Sequence, residues 1–537
     1  MTSTDHHDVI VIGSGPGGGS LAARLARTGK RVLILERGGY LPRERENWDA
    51  DAVFNKARYQ AKETWSDKDG NEFHPGLHYF VGGNSKVYGS VLFRLRESDF
   101  LAVEHPDGVS PAWPLSYEDL EPWYEAAEHL YCVHGLRGED PTEPWAANPY
   151  ALPPIRHEPR IQELFDGLKD LGHHPFHLPV GVLMDQDADG NALPHSPCIR
   201  CNRFDGYPCL TNGKADAQIC AVDPALDAYD NLTLMTRTYA DRLLTDAGGG
   251  RVSGVEVMTT DRDDRVDETT RRTLTADVVV VACGALSSAL LMLRSVSDAH
   301  PDGLANGNNL VGRHYMRHNN AIVLAVSKTP NPTRFQKTLG LNDFYHAPKN
   351  GGMGDWDYPL GHIQMVGKSD GDQIEGEALP KLLQWAPNKP FDWIARHSLD
   401  FWLTSEDLGL AENRVRYADG KVQLDLTPTN MEAHERLRAK LRDLCGRLDK
   451  TSALFDRSLY FGQNVPISGT AHQAGTMRFG TDPATSVLDL DCKAHGIDNL
   501  YVTDASFMPS VGAVNPTLTI IANALRVADH IAKRLQA

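Results

Sequence analysis

The feature that most constrains this chain is a glycine-rich turn between two short β-branched runs, within DVIVIGSGPGGGSLAARLARTGKRVLILE at residues 8–36. Residues 8–12 predict a buried parallel strand, and the residues after the turn repeat apolar side chains at helical spacing. Residues 31–35 predict a second strand. Strand, turn, helix and strand in this order predict the first unit of an α/β, Rossmann-like dinucleotide-binding fold.

The spacing within this unit assigns a task to each of four residues. Gly13 permits the tight turn, Gly15 lets a pyrophosphate approach the backbone, and Gly18 lets the helix pack closely on the strand. The N-terminus of the helix offers free N–H donors to the same anion. Glu36 ends the second strand, where a carboxylate accepts hydrogen bonds from a ribose diol and repels a 2′-phosphate. The unit predicts FAD or NAD, and not NADP.

Length and charge exclude several functions. At 537 residues the chain is too long for one simple core, so two domains or one elaborated α/β domain are expected. A net charge of -17 disfavours nucleic acid and anionic membranes as partners. The sequence contains no run of 18 apolar residues, and its N-terminus does not read as a secretory signal. These observations predict a cytoplasmic protein without a membrane partner.

Three cysteines near the middle of the chain admit three interpretations. Cys198 and Cys201 form a C-x2-C pair, and Cys209 follows. A zinc or iron–sulfur site would need a fourth ligand such as Cys220 or His195, a disulfide is the second possibility, and unlinked thiols in a loop are the third. Because there is a single C-x2-C pair, we predict no metal site, and the state of the three thiols is left open.

Strand and helix patterns like those of the dinucleotide-binding unit recur twice further along the chain. Residues 276–294 again predict a buried strand, a glycine turn and a helix. Residues 500–504 predict a strand, and a final helix begins after Asn515 and Pro516, with the proline in its first turn. Residues from about 315 to 460 mix strands with loops and a helix from Met431 to Leu448. The chain therefore predicts one lobe built from three separated pieces and a second lobe for the substrate.

Two residues near the C-terminus carry the chemistry of a base and its partner. His472 lies in a glycine-rich loop, SGTAHQAGTMRFG, where a histidine has little apolar structure to pack against. A histidine of near-neutral pKa can remove the proton of an alcohol. The amide of Asn515 can hold the same oxygen, and the helix after it points its positive end toward an anionic reduced flavin.

Five motifs in order resemble, over essentially the whole chain, the glucose–methanol–choline (GMC) family of FAD-dependent alcohol oxidoreductases. They are VIGSGPGGGSLAARLA with Glu36, VGGNSKVYGS, ADVVVVACGALSSALLMLRS, AHQAGTMRFG and NLYVTDASFMPSVGAVNPTLTIIANALRVADHI. NAD would explain none of the C-terminal motifs. The resemblance implies an FAD-binding domain at 1–100, 205–315 and 463–537, and a discontinuous α+β substrate-binding domain on a mixed or antiparallel sheet at 101–204 and 316–462.

The resemblance also implies the roles of single residues. His472 and Asn515 match the catalytic pair of the family. Val87 stands where some relatives tether FAD through a histidine, so the resemblance implies non-covalent FAD. The residues expected to contact FAD are Gly13, Gly15 and Gly18 at the pyrophosphate, Glu36 at the ribose, Ala240 near the adenine, Gly82, Gly83, Asn84 and Ser85 along the flavin, and Asp504, Asn515, Pro516 and Thr517 near the pyrophosphate and the isoalloxazine.

The reaction implied is removal of a hydroxyl proton by His472 while the carbon gives a hydride to flavin N5. Oxygen, or a quinone or dye, then reoxidises the flavin. The motifs look most like bacterial pyranose oxidases and glycoside 3-oxidases, so we expect a sugar or glycoside to be oxidised at a secondary ring hydroxyl such as C2 or C3. A non-sugar alcohol (aryl, alkyl or polyol) and a non-catalytic flavin-binding role are the alternatives. Acceptor, regiochemistry and oligomeric state are left open.

Overall fold

The computed structural model describes residues 6–187, 190–347, 355–378, 389–448, 453–457 and 472–536. The α-helices in this part of the chain are α1 (Pro16–Ala26), α2 (Tyr117–Leu130), α3 (Pro159–Asp170), α4 (Asp223–Ala228), α5 (Ala285–Arg294), α6 (Gly371–Ala378), α7 (Lys389–His397), α8 (Met431–Leu448) and α9 (Thr517–Gln536). None of the helices in these ranges is long and apolar enough to cross a bilayer.

The first half of the chain contributes β1 (His6–Ile12), β2 (Val32–Leu35), β3 (Trp65–Asp67), β4 (Glu72–Phe73), β5 (Val103–His105), β6 (Gly108–Ser110), β7 (Val133–His134), β8 (Pro175–His177), β9 (Val180–Gly181), β10 (Leu232–Met235), β11 (Thr238–Thr245), β12 (Val252–Thr260) and β13 (Val266–Val281). The second half contributes β14 (Asn319–Val326), β15 (Leu339–Leu341), β16 (His362–Met365), β17 (Ser398–Ser405), β18 (Arg414–Ala418), β19 (Lys421–Asp425), β20 (Ala453–Arg457) and β21 (Leu500–Val502).

A seven-stranded sheet forms the dinucleotide-binding half, in the order β10-β2-β1-β13-β12-β11 with β21 beside β13. The strands β10, β2, β1 and β21 run parallel to one another and to the end of β13, and Ile10 pairs with both Leu33 and Val279. The apolar runs of β1, β2, β21 and the end of β13 are almost fully buried, as expected of parallel strands covered on both faces, whereas only Leu232 is buried in the edge strand β10. The parallel strands end at one edge of the sheet, where α1 begins directly after β1.

The turn between β1 and α1 depends on two glycines. Gly13 has φ +105°, and a Cβ there would lie 2.3 Å from the carbonyl oxygen of Ala282. A Cβ on Gly18 would lie 2.1 Å from the carbonyl oxygen of Gly13. Because real Cβ contacts are never this short, any larger residue would push the helix away from the strand. Helix α1 also packs against the C-terminal helix α9.

The second large sheet has six strands in the order β20-β14-β17-β16-β15-β8, all of them antiparallel. Helices α3 and α8 cover one face, with Leu164 and Leu437 in the same apolar cluster as Val323 and Leu403. The opposite face carries Ile322 and the other alternate residues of β14, because side chains of a strand point to opposite sides in turn.

The fold class expected from the sequence is therefore confirmed: a Rossmann-like parallel sheet and a separate antiparallel sheet with helices. The parallel strands come from three stretches of the chain, within 6–35, 232–281 and 500–502. The boundaries of the two domains stay a prediction, and residues 463–471 of the third FAD-binding segment lie outside the described residues. A four-stranded sheet, β18-β19-β3-β4, joins the excursion after β2 to residues 414–425.

Candidate active site

A cavity of about 1360 Å³ extends from the edge of the parallel sheet to the antiparallel sheet, on the face opposite helices α3 and α8. Gly13 and Glu36 line it at one end, and Gln364 and Trp402 line it at the other. Its volume is larger than that of an ordinary small-molecule site, which suits a dinucleotide and a second ligand together.

The beginning of α1 forms an open anion-binding wall in this cavity. Gly15 caps the helix without a side-chain hydrogen bond, so its first N–H groups are free of an internal side-chain acceptor. A Cβ on Gly15 would meet nothing within 4 Å, and the residue lines the cavity. Gly18 does not line it and lies behind the wall at the contact with β1. The wall fits a pyrophosphate at Gly15, as its spacing predicts.

Glu36 is a buried carboxylate at the end of β2 that lines the cavity. It accepts hydrogen bonds from the Oγ of Ser14 at 2.5 Å, from the N–H of Ser14 at 3.1 Å and from the N–H of Gly38 at 3.0 Å. Burial raises the pKa of Glu36, and these donors oppose the rise. Ala240, expected near the adenine, lines the same cavity.

The glycine pair expected along the flavin forms a tight turn. Gly82 has φ +96° and Gly83 has φ +56°, values that favour glycine. Gly83, Asn84 and Ser85 line the cavity, whereas Gly82 does not. The N–H of Gly82 donates to the Ser14 hydroxyl at 3.1 Å, which ties this turn to the first glycine-rich turn.

Asp504 follows β21 and lines the cavity close to the glycine-rich turn. It accepts from the N–H of Gly284 at 3.0 Å and of Ser506 at 2.9 Å, and from the hydroxyls of Ser288 and Ser506. Burial raises its pKa, opposed by these four donors. The cavity wall continues through Asn515, Pro516 and Thr517, where α9 begins.

The structure brings the expected catalytic pair together. His472 Nε2 and Asn515 Nδ2 lie 3.2 Å apart at the cavity wall, although the residues are 43 positions apart in sequence. Burial is the largest cause that lowers the pKa of His472 well below its usual value, followed by the nearby His318 and Lys337. The imidazole is therefore neutral at pH 7 and able to accept a proton. Residues 468–471, which precede it in its loop, lie outside the described residues.

Several cavity residues were not predicted from the sequence. Lys337 is buried and pairs with Asp205, whose other oxygen accepts from the N–H of Gly367 at 2.5 Å. Gln364 is 2% exposed, and its Oε1 has no hydrogen-bond partner within the described part of the protein. These residues belong to no glycine-rich motif, so no local pattern distinguishes them. The segment 40–75 also lines the cavity, through Val53, Tyr59 and Trp65 among others.

The three cysteines of the central loop are free thiols. Cys198 is buried, whereas Cys201 and Cys209 are partly exposed. The Sγ of Cys201 contacts the carbonyl oxygen of Arg203 at 3.4 Å. Of the three interpretations, unlinked thiols match the structure. Within the described residues no group of three or more His, Cys, Asp or Glu side chains is arranged to hold a metal ion.

Comparison with known proteins gives matches along most of the chain. The family model described as GMC oxidoreductase matches residues 78–319 and residues 417–524, and an NAD(P)-binding Rossmann-like domain matches residues 11–47. A solved structure of pyridoxine 4-oxidase from Mesorbium loti superposes with a TM-score of 0.64 at 18% identity, covering 98% of this chain and 99% of that one. This structural likeness shows the fold.

Three curated relatives extend over nearly the full chain. 6'''-Hydroxyparomomycin C oxidase of Streptomyces lividus is 33% identical, covering 99% of this chain and 92% of its own length. Paromamine 6'-oxidase of Streptomyces fradiae is 32% identical, with 98% and 91% covered. 2-Methyl-1,2-propanediol dehydrogenase of Mycolicibacterium austroafricanum is 28% identical, with 99% and 96% covered. The chain therefore belongs to the GMC oxidoreductase family, and it is an alcohol oxidoreductase that uses a flavin cofactor.

Proposed function

We propose that this protein oxidises a secondary ring hydroxyl of a sugar or glycoside, at a position such as C2 or C3, to a carbonyl. We further propose that its cofactor is non-covalently bound FAD. The observation that carries the proposal is the contact between His472 and Asn515 at the wall of a cavity whose other end fits a dinucleotide. That arrangement supplies a base and an amide donor beside the region that the flavin would occupy.

The residues of the dinucleotide end fit FAD. The open wall at Gly15 would hold the pyrophosphate, Glu36 would accept from the ribose diol, and the turn at Gly83 would lie along the flavin. FAD, when bound, supplies the acceptor for the hydride that leaves the alcohol carbon. Val87 lines the cavity where tethered relatives carry a histidine, which supports a dissociable cofactor.

The protein's own part in the reaction is to hold and move a proton. His472, kept neutral by its surroundings, takes the hydroxyl proton of the substrate at Nε2. The Nδ2 of Asn515 donates to the same substrate oxygen, because it already points at the Nε2 position. The first turn of α9 follows directly, and its free N–H groups favour negative charge near that wall.

The substrate end of the cavity favours a polyhydroxylated ligand. Within the described residues the Oε1 of Gln364 has no partner at hydrogen-bond geometry, so it can accept from a ligand donor such as a sugar hydroxyl, because an unsatisfied buried acceptor costs free energy. The indole of Trp402 lies on the same wall and offers an apolar surface beside its polar neighbours. Two of the relatives are named as oxidases of the aminoglycosides 6'''-hydroxyparomomycin C and paromamine. These observations together support a sugar or glycoside.

A non-sugar alcohol is the second candidate, and the relative named 2-methyl-1,2-propanediol dehydrogenase is the observation that favours it. The FAD-loaded protein should be titrated without oxygen with glucose, a C-glucoside, paromamine, benzyl alcohol and 2-methyl-1,2-propanediol in separate cuvettes. We expect a sugar or glycoside to bleach the visible flavin band. If only benzyl alcohol or 2-methyl-1,2-propanediol bleached the flavin band, the substrate would be a non-sugar alcohol, and the proposal would be wrong.

Two additions to this experiment test the acceptor and the attachment of the cofactor. Return of the colour in air indicates oxygen as the acceptor, and return with a quinone alone indicates a dehydrogenase. Acid precipitation should leave yellow FAD in the supernatant, and a yellow pellet would contradict non-covalent binding.

A further inference from the structure

A second histidine contacts the ring of His472 on the side away from Asn515. His318, just before β14, is 1% exposed, and its Nδ1 lies 3.0 Å from the Nδ1 of His472. The two rings cross at 79° with their centroids 5.1 Å apart, so this is an edge contact through nitrogen atoms and not a stack. Neither the motifs nor the spacing of the sequence predicts the contact.

The contact of His318 Nε2 with the backbone determines which nitrogen of His318 carries the hydrogen. Its Nε2 lies 3.4 Å from the carbonyl oxygen of Val511, and a carbonyl can only accept. Nε2 must therefore donate. Burial lowers the pKa of His318 to about 4, so the ring is neutral and its Nδ1 has no hydrogen.

The hydrogen positions on His472 follow from this assignment. Since the Nδ1 of His318 is an acceptor, the Nδ1 of His472 must carry the hydrogen that lies between the two rings. The Nε2 of His472 then carries the lone pair, which accepts from Asn515 Nδ2 in this structure and is the site that the substrate hydroxyl would approach. His472 Nδ1–H donates to His318, and His318 Nε2–H donates to the carbonyl oxygen of Val511. This donor chain holds His472 in the tautomer whose Nε2 can act as the base.

The backbone holds His318 in this position. His318 has φ +65°, a left-handed value that few residues other than glycine, asparagine, aspartate and histidine adopt, and its N–H donates to Asp407 Oδ1 at 2.8 Å. Next to Val511, the N–H of Gly512 donates to Glu406 Oε1 at 3.1 Å. The backbone at His318 and the backbone next to Val511 are thus held by two buried carboxylates of the segment after β17.

We propose that His318 is a positioning residue that keeps the proton of His472 on Nδ1 and leaves Nε2 as the base. This inference rests on the proposed function, in which His472 removes the substrate proton. After the transfer, the hydrogen on Nδ1 still donates to His318, so the imidazolium keeps its orientation. Because the partner is a neutral imidazole and not a carboxylate, it adds no charge that would make His472 a stronger base.

The groups that face this pair set the pH range in which the base works. Lys337 and His362 act on His472, together with His318 itself, and all three lower its pKa. Glu406 acts on His318 and raises its pKa, against the larger effect of burial. We expect the acid limb of the flavin reduction rate to lie below the ordinary pKa of histidine, near 6.5.

Three variants of the FAD-loaded protein test the proposal. His318→Asn can place an amide oxygen where Nδ1 lies and tolerates the backbone angle, His318→Asp adds a charge, and His318→Leu removes the acceptor. His314→Leu is the matched control, because His314 has φ +63°, bonds to the backbone oxygen of Gly409 and does not line the cavity. FAD content is measured first, and then the anaerobic flavin reduction rate against pH.

For His318→Leu we expect a fall in the limiting reduction rate of at least about 10-fold, since the wrong tautomer of His472 becomes populated. His318→Asn should recover most of the rate, and His318→Asp should move the acid limb upward by about 1 pH unit or more. His314→Leu should keep the wild-type rate. A His318→Leu protein with the wild-type rate and pH profile, or a His318→Asn protein as slow as His318→Leu, would overturn the proposal.

A measurement without substrate separates this inference from the proposed function. In protein labelled with ¹⁵N in the histidine rings, the signal lost in His472→Gln identifies His472, and its nitrogen shifts report which atom carries the hydrogen. We expect hydrogen on Nδ1 in the wild type and a mixture of tautomers in His318→Leu. Hydrogen on Nε2 in the wild type would overturn the role of His318, even if sugars reduce the flavin. If no sugar reduces it, the tautomer is still measured.

Discussion

His472 has one neighbour at each of its two ring nitrogens. Asn515 lies 3.2 Å from its Nε2, and His318 lies 3.0 Å from its Nδ1. Its backbone has φ +66°, in the left-handed region. Such a conformation is uncommon outside glycine and persists only where the surrounding structure holds it.

Removing the imidazole should abolish proton abstraction without preventing cofactor binding. For His472→Ala we expect yellow, FAD-loaded protein whose flavin reduction is slower by at least about 100-fold, in line with loss of a general base. Stopped-flow absorbance without oxygen measures the rate. His314→Ala, at a residue with nearly the same φ, is the control. Reduction of the flavin in His472→Ala at the wild-type rate would exclude His472 as the base.

Glu36 should decide affinity for the cofactor and not the rate of the reaction. Its carboxylate already holds the turn through Ser14 and Gly38 and lines the cavity where a ribose would lie. Hydrogen bonds to a charged group contribute about 1.5–3 kcal/mol, so Glu36→Ala should raise the Kd of FAD by about 10- to 100-fold. Quenching of flavin fluorescence on binding measures this Kd. An unchanged Kd would mean that the ribose lies elsewhere.

Among the residues of the site, those within sequence motifs are predicted from the sequence. Those that reach the site only through tertiary packing are not. His472, Asn515 and Glu36 sit in glycine-rich turns or at strand and helix ends, where backbone chemistry leaves a local pattern. His318 and Gln364 sit in or beside strands that read only as apolar runs. Their place in the site depends on how the antiparallel sheet packs against the parallel one, and no spacing within the sequence encodes that.

Helix α1 shows how one element serves packing and binding at once. The methyl group of Gly18→Ala would lie 2.1 Å from the carbonyl oxygen of Gly13, whereas that of Gly15→Ala would meet nothing within 4 Å. We therefore expect Gly18→Ala to lower the free energy of unfolding by about 1–3 kcal/mol or more, through overpacking. Gly15→Ala should fold normally but bind FAD weakly, because its methyl group occupies the space of the pyrophosphate.

Urea denaturation and FAD titration of the same two variants separate these effects. Gly250→Ala is the control, since it also has open space and does not line the cavity. A stable Gly18→Ala, or a Gly15→Ala that binds FAD as the wild type does, would contradict the division of roles.

The helices with strong local signals were predicted well. Helix α2 begins after Ser116, whose hydroxyl accepts from the N–H of Asp119, and its first turn carries Glu118 and Asp119, so its start has a strong local signal in the sequence. Helix α8 has the predicted bounds, Met431–Leu448. The start of β13 was missed: the strand begins at Val266, in a polar stretch that antiparallel pairing with β12 holds extended. Tertiary pairing overrides local preference there.

For the whole molecule, buried histidines predict how stability depends on pH. Burial lowers the pKa of His157, His362 and His434 to about 3, so they stay neutral in the folded protein. In the unfolded chain the same groups bind a proton near pH 6.5. Their contribution to stability is therefore fully present above about pH 6.5 and is lost as the pH falls toward 3.

One histidine should account for a measurable share of this dependence. His434 is 3% exposed, and its Nε2 has no hydrogen-bond partner within the described residues. Each such group changes the free energy of unfolding by about 1.4 kcal/mol per pH unit within its window. His434→Gln should reduce the slope by that amount in urea denaturation between about pH 4 and 6. His129→Gln, at an exposed helical position, should leave the slope unchanged, and equal slopes for both variants would contradict the prediction.

The overall division of the chain was predictable because parallel and antiparallel strands leave different patterns. Buried runs such as VIVI and VVVV mark the parallel sheet, and their recurrence near residues 278 and 500 marks its return. The secondary structure of the second lobe was predicted less completely. Helix α6 forms in a stretch whose composition is typical of a loop, and the packing of its Ile374 against the antiparallel sheet stabilises it.

The parallel sheet is completed last. Strand β21, at Leu500–Val502, joins β13, which ends at Val281, and the cavity wall at Asn515 follows β21. Because chains fold as they are synthesised from the N-terminus, the glycine-rich turn leaves the ribosome long before the residues that close the cavity around it. The flavin can therefore meet its complete site only after residues 500–517 have been synthesised.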